Sequence, residues 1–232
     1  MKTGECPLYS PNIFEDFPSI GSALSVKSSP PEDFIRSHLI TILEDKLPEN
    51  IVRICQVHGS QIHVITDNSQ IASVNNKNGD GLMTDLANIG LLIRVADCAP
   101  LAIFDESGSA IALIHAGWKG IEKGIIENAI VKFIDFGIVV DKLVAYIGPC
   151  IGPEDYEVGN EFLEKFQRNI LNRNSKLFFD LPGEIELRLK KLGVLQIEKF
   201  PLSTFSTNWL YSFRRDKTDG GRIFFYLWKK TD

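Results

Sequence analysis

The 232-residue sequence is short of the residues that staple or anchor a protein. It has only four cysteines, Cys6, Cys55, Cys98 and Cys150, scattered and with no CxxC pair. That pattern predicts free thiols in a reducing cytoplasm rather than a disulfide framework. No apolar run approaches the roughly 18 residues of a membrane span. The N-terminal MKTGECPLYSPNIFEDF lacks the continuous apolar stretch of a signal peptide. Excess positive charge is missing too. A formal charge of −5 argues against a general nucleic-acid or membrane-surface binder, while leaving room for a local basic pocket. Repeats and low-complexity tracts are absent.

What is present belongs to an ordinary globular chain, 44% hydrophobic and 24% charged, long enough to bury a core without staples. Pro30-Pro31-Glu32 opens an expected helix to about Lys46, with Phe34, Ile35, His38, Leu39, Ile42 and Leu43 as its apolar stripe. IVRICQV (51–57) and QIHVIT (61–66) read as a hairpin around His58-Gly59-Ser60. Three more β-runs follow, at 89–96, 100–104 and 109–115. A helix is expected over 120–137, closed by Gly137, and further helices over about 158–171 and 183–192. LVAYI, VLQIEKF and RIFFYLW complete the strands. Strands dominate and helices interrupt irregularly, so the expected fold is one α+β domain with mixed β-sheets flanked by helices.

The chemistry concentrates at three strand ends. Two of the four histidines, His58 and His115, follow β-runs and precede glycine-containing turns, and Cys98 follows a third run. A turn at Asp105-Glu106-Ser107-Gly108 would bring Cys98 and His115 together. Two imidazoles and a thiolate would leave one position of a tetrahedral zinc open, as catalytic sites do. The spacing equally allows a Cys–His nucleophile pair, or a buried Cys packed near a core His. Behind His115, the segment Gly117-Trp118-Lys119-Gly120 enters a helix whose N-terminus, with Lys119 and Gly120, is a candidate anion site.

Arg94 shares a strand face with Leu92, Ala96 and Cys98, and a guanidinium in an apolar run needs an acid, solvent or an anionic ligand. Asp80 and Asp85 are the candidate acids. Near the C-terminus, Arg214 and Arg215 stand beside Trp209, Tyr211 and Phe213, a cluster able to hold a phosphate and stack on a base, or else a solvated loop.

Taken together, Gln56-Val57-His58-Gly59, Ala96-Asp97-Cys98-Ala99-Pro100, His115-Ala116-Gly117-Trp118-Lys119-Gly120, Gly148-Pro149-Cys150-Ile151-Gly152-Pro153 with Tyr156-Glu157-Val158-Gly159, and Arg214-Arg215-Asp216 form an ordered motif set. With it the chain resembles the YfiH-like laccase-domain family, also labelled polyphenol oxidase or purine nucleoside phosphorylase. The resemblance covers residues 51–232, and residues 1–50 match weakly. Cys55 stands where many members have Asn, and Ser203-Thr204 where many have Cys-Thr.

The resemblance implies a YfiH-like domain, distantly similar to the catalytic domain of cytotoxic necrotising factor toxins. It also implies one zinc ion held by His58, Cys98 and His115. The implied activity is phosphorolysis of adenosine, inosine and 5′-methylthioadenosine, with adenosine deamination besides. A zinc site can supply hydroxide near neutral pH for the latter. The nucleobase-deaminase signature H-x-E…P-C-x-x-C is absent. A multicopper oxidase needs roughly ten imidazoles, and one sulfur-containing three-ligand site suits zinc, with copper as an adventitious metal at most. Some relatives imply an alternative, amide hydrolysis that removes L-Ser from a UDP-sugar peptidoglycan precursor. A further alternative is a non-catalytic, zinc-stabilised binding module. The expected partner is a small molecule, purine nucleoside with phosphate, acted on by a monomer or homodimer.

Overall fold

In the computed structural model, described over residues 8–42, 47–217 and 220–231, the described residues build two six-stranded sheets and a three-stranded ribbon. The first sheet runs β3 (Leu39–Ile42), β1 (Leu8–Pro11), β2 (Ile20–Ser25), β15 (Ile223–Lys229), β7 (Ile89–Val95) and β4 (Asn50–Arg53). The second runs β14 (Gln196–Lys199), β10 (Leu143–Ile147), β8 (Ala99–Asp105), β9 (Ile111–Ala116), β6 (Gly81–Thr84) and β5 (Ile62–Ile65). The ribbon is β11 (Glu157–Val158), β13 (Lys176–Phe179) and β12 (Ile170–Arg173). Both large sheets are mixed. β4 runs parallel to β7, β5 to β6 and β10 to β14, whereas β8–β9 and β15–β7 are antiparallel.

Strand alternation decides which layer each residue fills. On β8, Ala102 and Phe104 point to the first sheet and pack with Leu24, Ile93 and Phe225. Leu101 and Ile103 point the other way, to Ile126, Ile130 and Phe133 of one helix and Ile185 and Leu189 of another. Both faces of β8 are therefore buried, which is why its run is apolar throughout. The result is an α+β fold of three layers, sheet on sheet with helices outside.

The helices depart from expectation at their ends. α1 (Glu32–His38) stops early, and Leu39-Ile40-Thr41-Ile42 pairs with β1 as a strand. The β-branched residues there favour a strand, and α1 buries no residue that would reward extension. Residues 43–46 of the expected helix lie outside the described residues. His38 is exposed and stacks on Phe34 at 4.5 Å. α2 (Ile71–Val74) lies between β5 and β6. The single helix expected over 120–137 is two, α3 (Trp118–Glu122) and α4 (Ile125–Asp135), broken at Gly124 with φ +81° and ended at Gly137 with φ +77°. The helix expected over 158–171 shrinks to α5 (Glu161–Lys165), and Ile170 already belongs to the ribbon. α6 (Leu181–Lys191) stands where a helix was expected, Asp180 accepting from the Gly183 amide at its start. α7 (Phe213–Asp216) is a single turn.

The expected 51–57/61–66 hairpin does not form. β4 belongs to the first sheet and β5 to the second, so residues 54–61 cross between sheets. The chain crosses again at residues 96–98, between β7 and β8. These crossings carry His58 and Cys98. Among the described residues no helix is long and apolar enough to cross a membrane.

Candidate metal centre and active site

The β8–β9 register pairs Pro100 with His115 and Ala99 with Ala116, which sets Cys98 beside Gly117. A Cβ at Gly117 would fall 2.8 Å from the Cys98 Sγ and 3.4 Å from the His58 ring, so only glycine fits there. The His58 and His115 rings meet edge-on at 4.8 Å. Ligand atoms of His58, Cys98 and His115 all lie within 4.8 Å of one another. The structure thus brings together the three residues singled out from sequence, across two crossings and one strand. Asp97 makes the last turn of the second crossing. Its φ of +83° turns the chain out of β7, and Arg94, Ala96 and Cys98 still line one pocket.

A fourth residue holds this group and was not singled out from sequence for that role. Asp80 is fully buried. Its Oδ1 accepts from the His115 Nδ1 at 2.7 Å and the His58 amide at 2.9 Å. Its Oδ2 accepts from the amides of Val57 at 3.2 Å and Gly59 at 2.6 Å. The Asp80 carbonyl also takes the His115 amide at 2.7 Å. With Nδ1–H donated to Asp80, His115 turns Nε2 toward Cys98. The crossing is pinned from outside as well, by Lys123 to the His58 carbonyl at 3.2 Å and Asn128 to the Ser60 carbonyl at 3.0 Å. Asp80 is therefore not the partner of Arg94. In the sequence it sits inside NGDG, where nothing marks it as a partner of His115.

Burial pushes the Cys98 thiol up, but hydrogen bonds from His115 and His58 outweigh it and bring it down to about 6. Burial likewise disfavours the charged His115 ring, yet Asp80 and then Cys98 raise it to about 9. The metal-free pair is thus a thiolate beside an imidazolium. A neighbouring thiol behaves oppositely. Cys150 is buried without such donors and is pushed well above its ordinary value.

The cluster opens into a pocket of about 940 Å³. Trp118, Tyr156 and Phe213 contribute aromatic walls. Arg94, Lys119, Arg214, Lys217 and Arg222 contribute cations, and among the described residues none of the five makes an ion pair. Among the described residues the one acid in the lining, Asp97, is occupied: Thr204 Oγ1 and the Arg214 amide each donate to it at 2.7 Å. Arg94 is exposed, its backbone bonded both ways to the Gln56 side chain at 2.8 and 3.0 Å. Register pairs Arg94 with Phe224, which places Arg222 two residues along on the same sheet face.

Two expected anion ligands are placed elsewhere. Gly120 is buried, and a Cβ there would come 2.8 Å from the Gly59 carbonyl, so this glycine seats α3 on the His58 loop. Arg215 donates to the carbonyls of Thr204, Phe205, Thr207 and Leu210 and pairs with Asp216. Its guanidinium is spent inside the protein, so it clamps the C-terminal loop. Arg214, one residue earlier, reaches the pocket, with its guanidinium 4.9 Å over Tyr156 and a 2.6 Å bond to the Glu157 carbonyl.

The fold and site together define a class of protein, a two-sheet α+β domain with one His–Cys–His cluster in a cationic pocket. The chain belongs to the family described as multi-copper polyphenol oxidoreductase laccase, which it matches over residues 34–230. It is 37% identical over 140 residues to a purine nucleoside phosphorylase of Aquifex aeolicus, covering 60% of this chain and 66% of that protein. It is 34% identical to purine nucleoside phosphorylase RC0672 of Rickettsia conorii, covering 72% and 71% of the two chains. It is 30% identical to purine nucleoside phosphorylase YfiH of Escherichia coli, covering 78% and 75%. The fold is similar to YlmD of Geobacillus stearothermophilus, with a TM-score of 0.81 at 22% identity over 100% of this chain and 98% of that one. Bacillus licheniformis YfiH gives 0.80 at 23% identity over 93% and 95%.

Proposed function

We propose that this chain is a purine nucleoside phosphorylase that holds one zinc ion, splitting adenosine, inosine and 5′-methylthioadenosine with phosphate and deaminating adenosine besides. The observation that carries the reading is the juxtaposition of the His58–Cys98–His115 cluster with a wall of cations that lack ion-pair partners among the described residues, in one pocket. The names of the relatives support its phosphorylase part. In phosphorolysis a phosphate oxygen bonds to the sugar carbon as the bond to the base breaks, and the base leaves with a proton. Arg94 and Lys119 offer the charge that seats the phosphate.

The donor set fits zinc. One sulfur and two imidazoles converge, the thiol is already biased to thiolate, and His115 is held by Asp80 in the tautomer that presents Nε2. When bound there, zinc supplies Lewis acidity to the pocket. Four histidines in the whole chain cannot furnish a multicopper centre, so the family's description does not extend to laccase chemistry in this member.

The test is metal analysis of the purified protein combined with product identification after incubation with adenosine, with and without phosphate. Phosphate-dependent release of adenine with ribose 1-phosphate is expected, together with phosphate-independent formation of inosine. Absence of both products overturns the reading. One observation favours a second reading: the Cys98 thiol lowered to about 6 beside His115 is also an arrangement for amide hydrolysis. A UDP-sugar carrying L-Ser is the discriminating substrate, and free serine the discriminating product.

A further inference from the structure

Trp209, Tyr211 and Phe213, the aromatic residues leading into α7, have three different fates. Trp209 packs against Phe34 at 5.2 Å and Phe200 at 6.2 Å, away from the pocket. Tyr211 lies so close to Gly221 that a Cβ there would come 2.5 Å from its ring. Phe213 alone of the three lines the pocket, and it is 48% exposed. Leaving an aromatic ring in water is unfavourable, and here slack does not explain it. The turn that displays Phe213 is tied down by the Ser212 Oγ bond to the Arg215 amide at 3.2 Å, the Arg214 amide bond to Asp97, and the Arg215 clamp.

The other two aromatic walls are already engaged. Trp118 tilts against Phe162 at 5.1 Å, with the ammonium groups of Lys119 and Lys165 at 5.5 and 5.6 Å from its ring. Tyr156 carries Arg214 and packs on Phe162 and Phe179. Phe213 has no ring partner among the described residues, and only the Arg222 guanidinium, 5.7 Å from its centroid, lies over it. An open aromatic face beside a cation suits a flat heteroaromatic ring.

We propose that Phe213 is the base-stacking residue of this pocket, carrying the purine while Arg94 and Lys119 hold phosphate. The proposal rests on the purine nucleoside reading above. It is tested with Phe213→Ala, Phe213→Leu and Phe213→Trp in the full chain, each checked for an unchanged unfolding midpoint. KM for inosine, KM for phosphate and kcat are then measured for each.

Phe213→Ala should raise KM for inosine on the order of tenfold, the loss of one stacked base. Phe213→Leu should lose nearly as much although it keeps apolar bulk, and Phe213→Trp should restore the wild-type value. KM for phosphate and kcat should stay within about twofold, since uniform binding of the base is what was removed. An unchanged inosine KM in Phe213→Ala, or a wild-type KM in Phe213→Leu, overturns the stacking role while leaving the phosphorylase reading intact. Wild-type protein that releases no base from any purine nucleoside overturns both.

Discussion

The floor and the rim of the pocket are built on opposite terms. At the floor, the Asp80 carboxylate meets one imidazole and three amides, His115 is gripped on both sides, and a Gly117 Cβ would strike Cys98. At the rim, Arg94, Lys119, Lys217 and Arg222 stand in no ion pair among the described residues. A floor whose buried polar groups are satisfied from within is fixed before anything binds. A rim of cations without acids is stable only because it is wet, and it gains when an anion replaces the water. Geometry is therefore set at the floor, and affinity for a charged ligand at the rim.

The largest effect should come from breaking the floor's support. Asp80→Ala leaves the His115 Nδ1–H and three amides without an acceptor, and should cost roughly 3–5 kcal/mol of stability in a denaturant titration, as loss of one partner of a buried charged pair does. Zinc should be lost from the purified protein as well. Cys98→Ala and His115→Ala should also lose zinc and turnover, yet with little change in far-UV circular dichroism. Unchanged metal content in Cys98→Ala would remove Cys98 from the ligand set. Stripping the metal with a chelator should likewise leave the fold standing, because two large core clusters do not depend on it. A chain that unfolds on chelation would instead be a zinc-stabilised module.

Arg215→Ala comes next, and it marks where the rim ends. Removing a guanidinium that serves four carbonyls and Asp216 should destabilise by about 1–3 kcal/mol, the cost of buried acceptors left unpaired. KM for phosphate should not change.

Much of this contrast was legible in the sequence, and its limits have physical reasons. The β8–β9 hairpin could be read from its apolar runs and the Asp105–Gly108 turn, and with it the meeting of Cys98 and His115. The sheet change at His58-Gly59-Ser60 could not, because a tight crossing and a hairpin use the same turn residues. Asp80 was hidden inside NGDG, since a carboxylate that caps a distant loop looks locally like one that caps its own turn. Arg214 and Arg215 are adjacent, and only packing decides which faces the pocket.

The titration of the floor offers a smaller but sharper test. In metal-free protein, alkylation of Cys98 by iodoacetamide should reach half its maximal rate near pH 6 instead of near 9, and His115→Ala should move that midpoint upward. The stability linkage has a definite sign. The thiol is lowered on folding, so its contribution is complete above about pH 9 and is lost as pH falls through 6. His115 is raised on folding, so its contribution is complete below about pH 6.5 and is lost as pH rises through 9. Between these limits the two slopes oppose each other, so the pair should leave the stability of the metal-free fold nearly independent of pH. An alkylation midpoint for Cys98 that stays near pH 9 would show that the thiolate–imidazolium pair does not form.

The rim should give the smallest change in stability and the cleanest change in function. Arg94→Ala and Lys119→Ala remove cations that no described acid depends on, so each should alter stability by no more than about 0.5 kcal/mol. Each should nonetheless raise KM for phosphate on the order of tenfold, the value of one charge-assisted contact. Gly120→Ala should do the reverse, disturbing the seat of α3 on the Gly59 carbonyl and hence metal retention, with phosphate affinity following only through the site's distortion. If Arg94→Ala and Lys119→Ala both leave the phosphate KM untouched, the anion lies instead against Lys217 and Arg222, on the side of the pocket that carries Phe213. The floor would keep its role in that case, and the rim would have to be redrawn around the C-terminal loop.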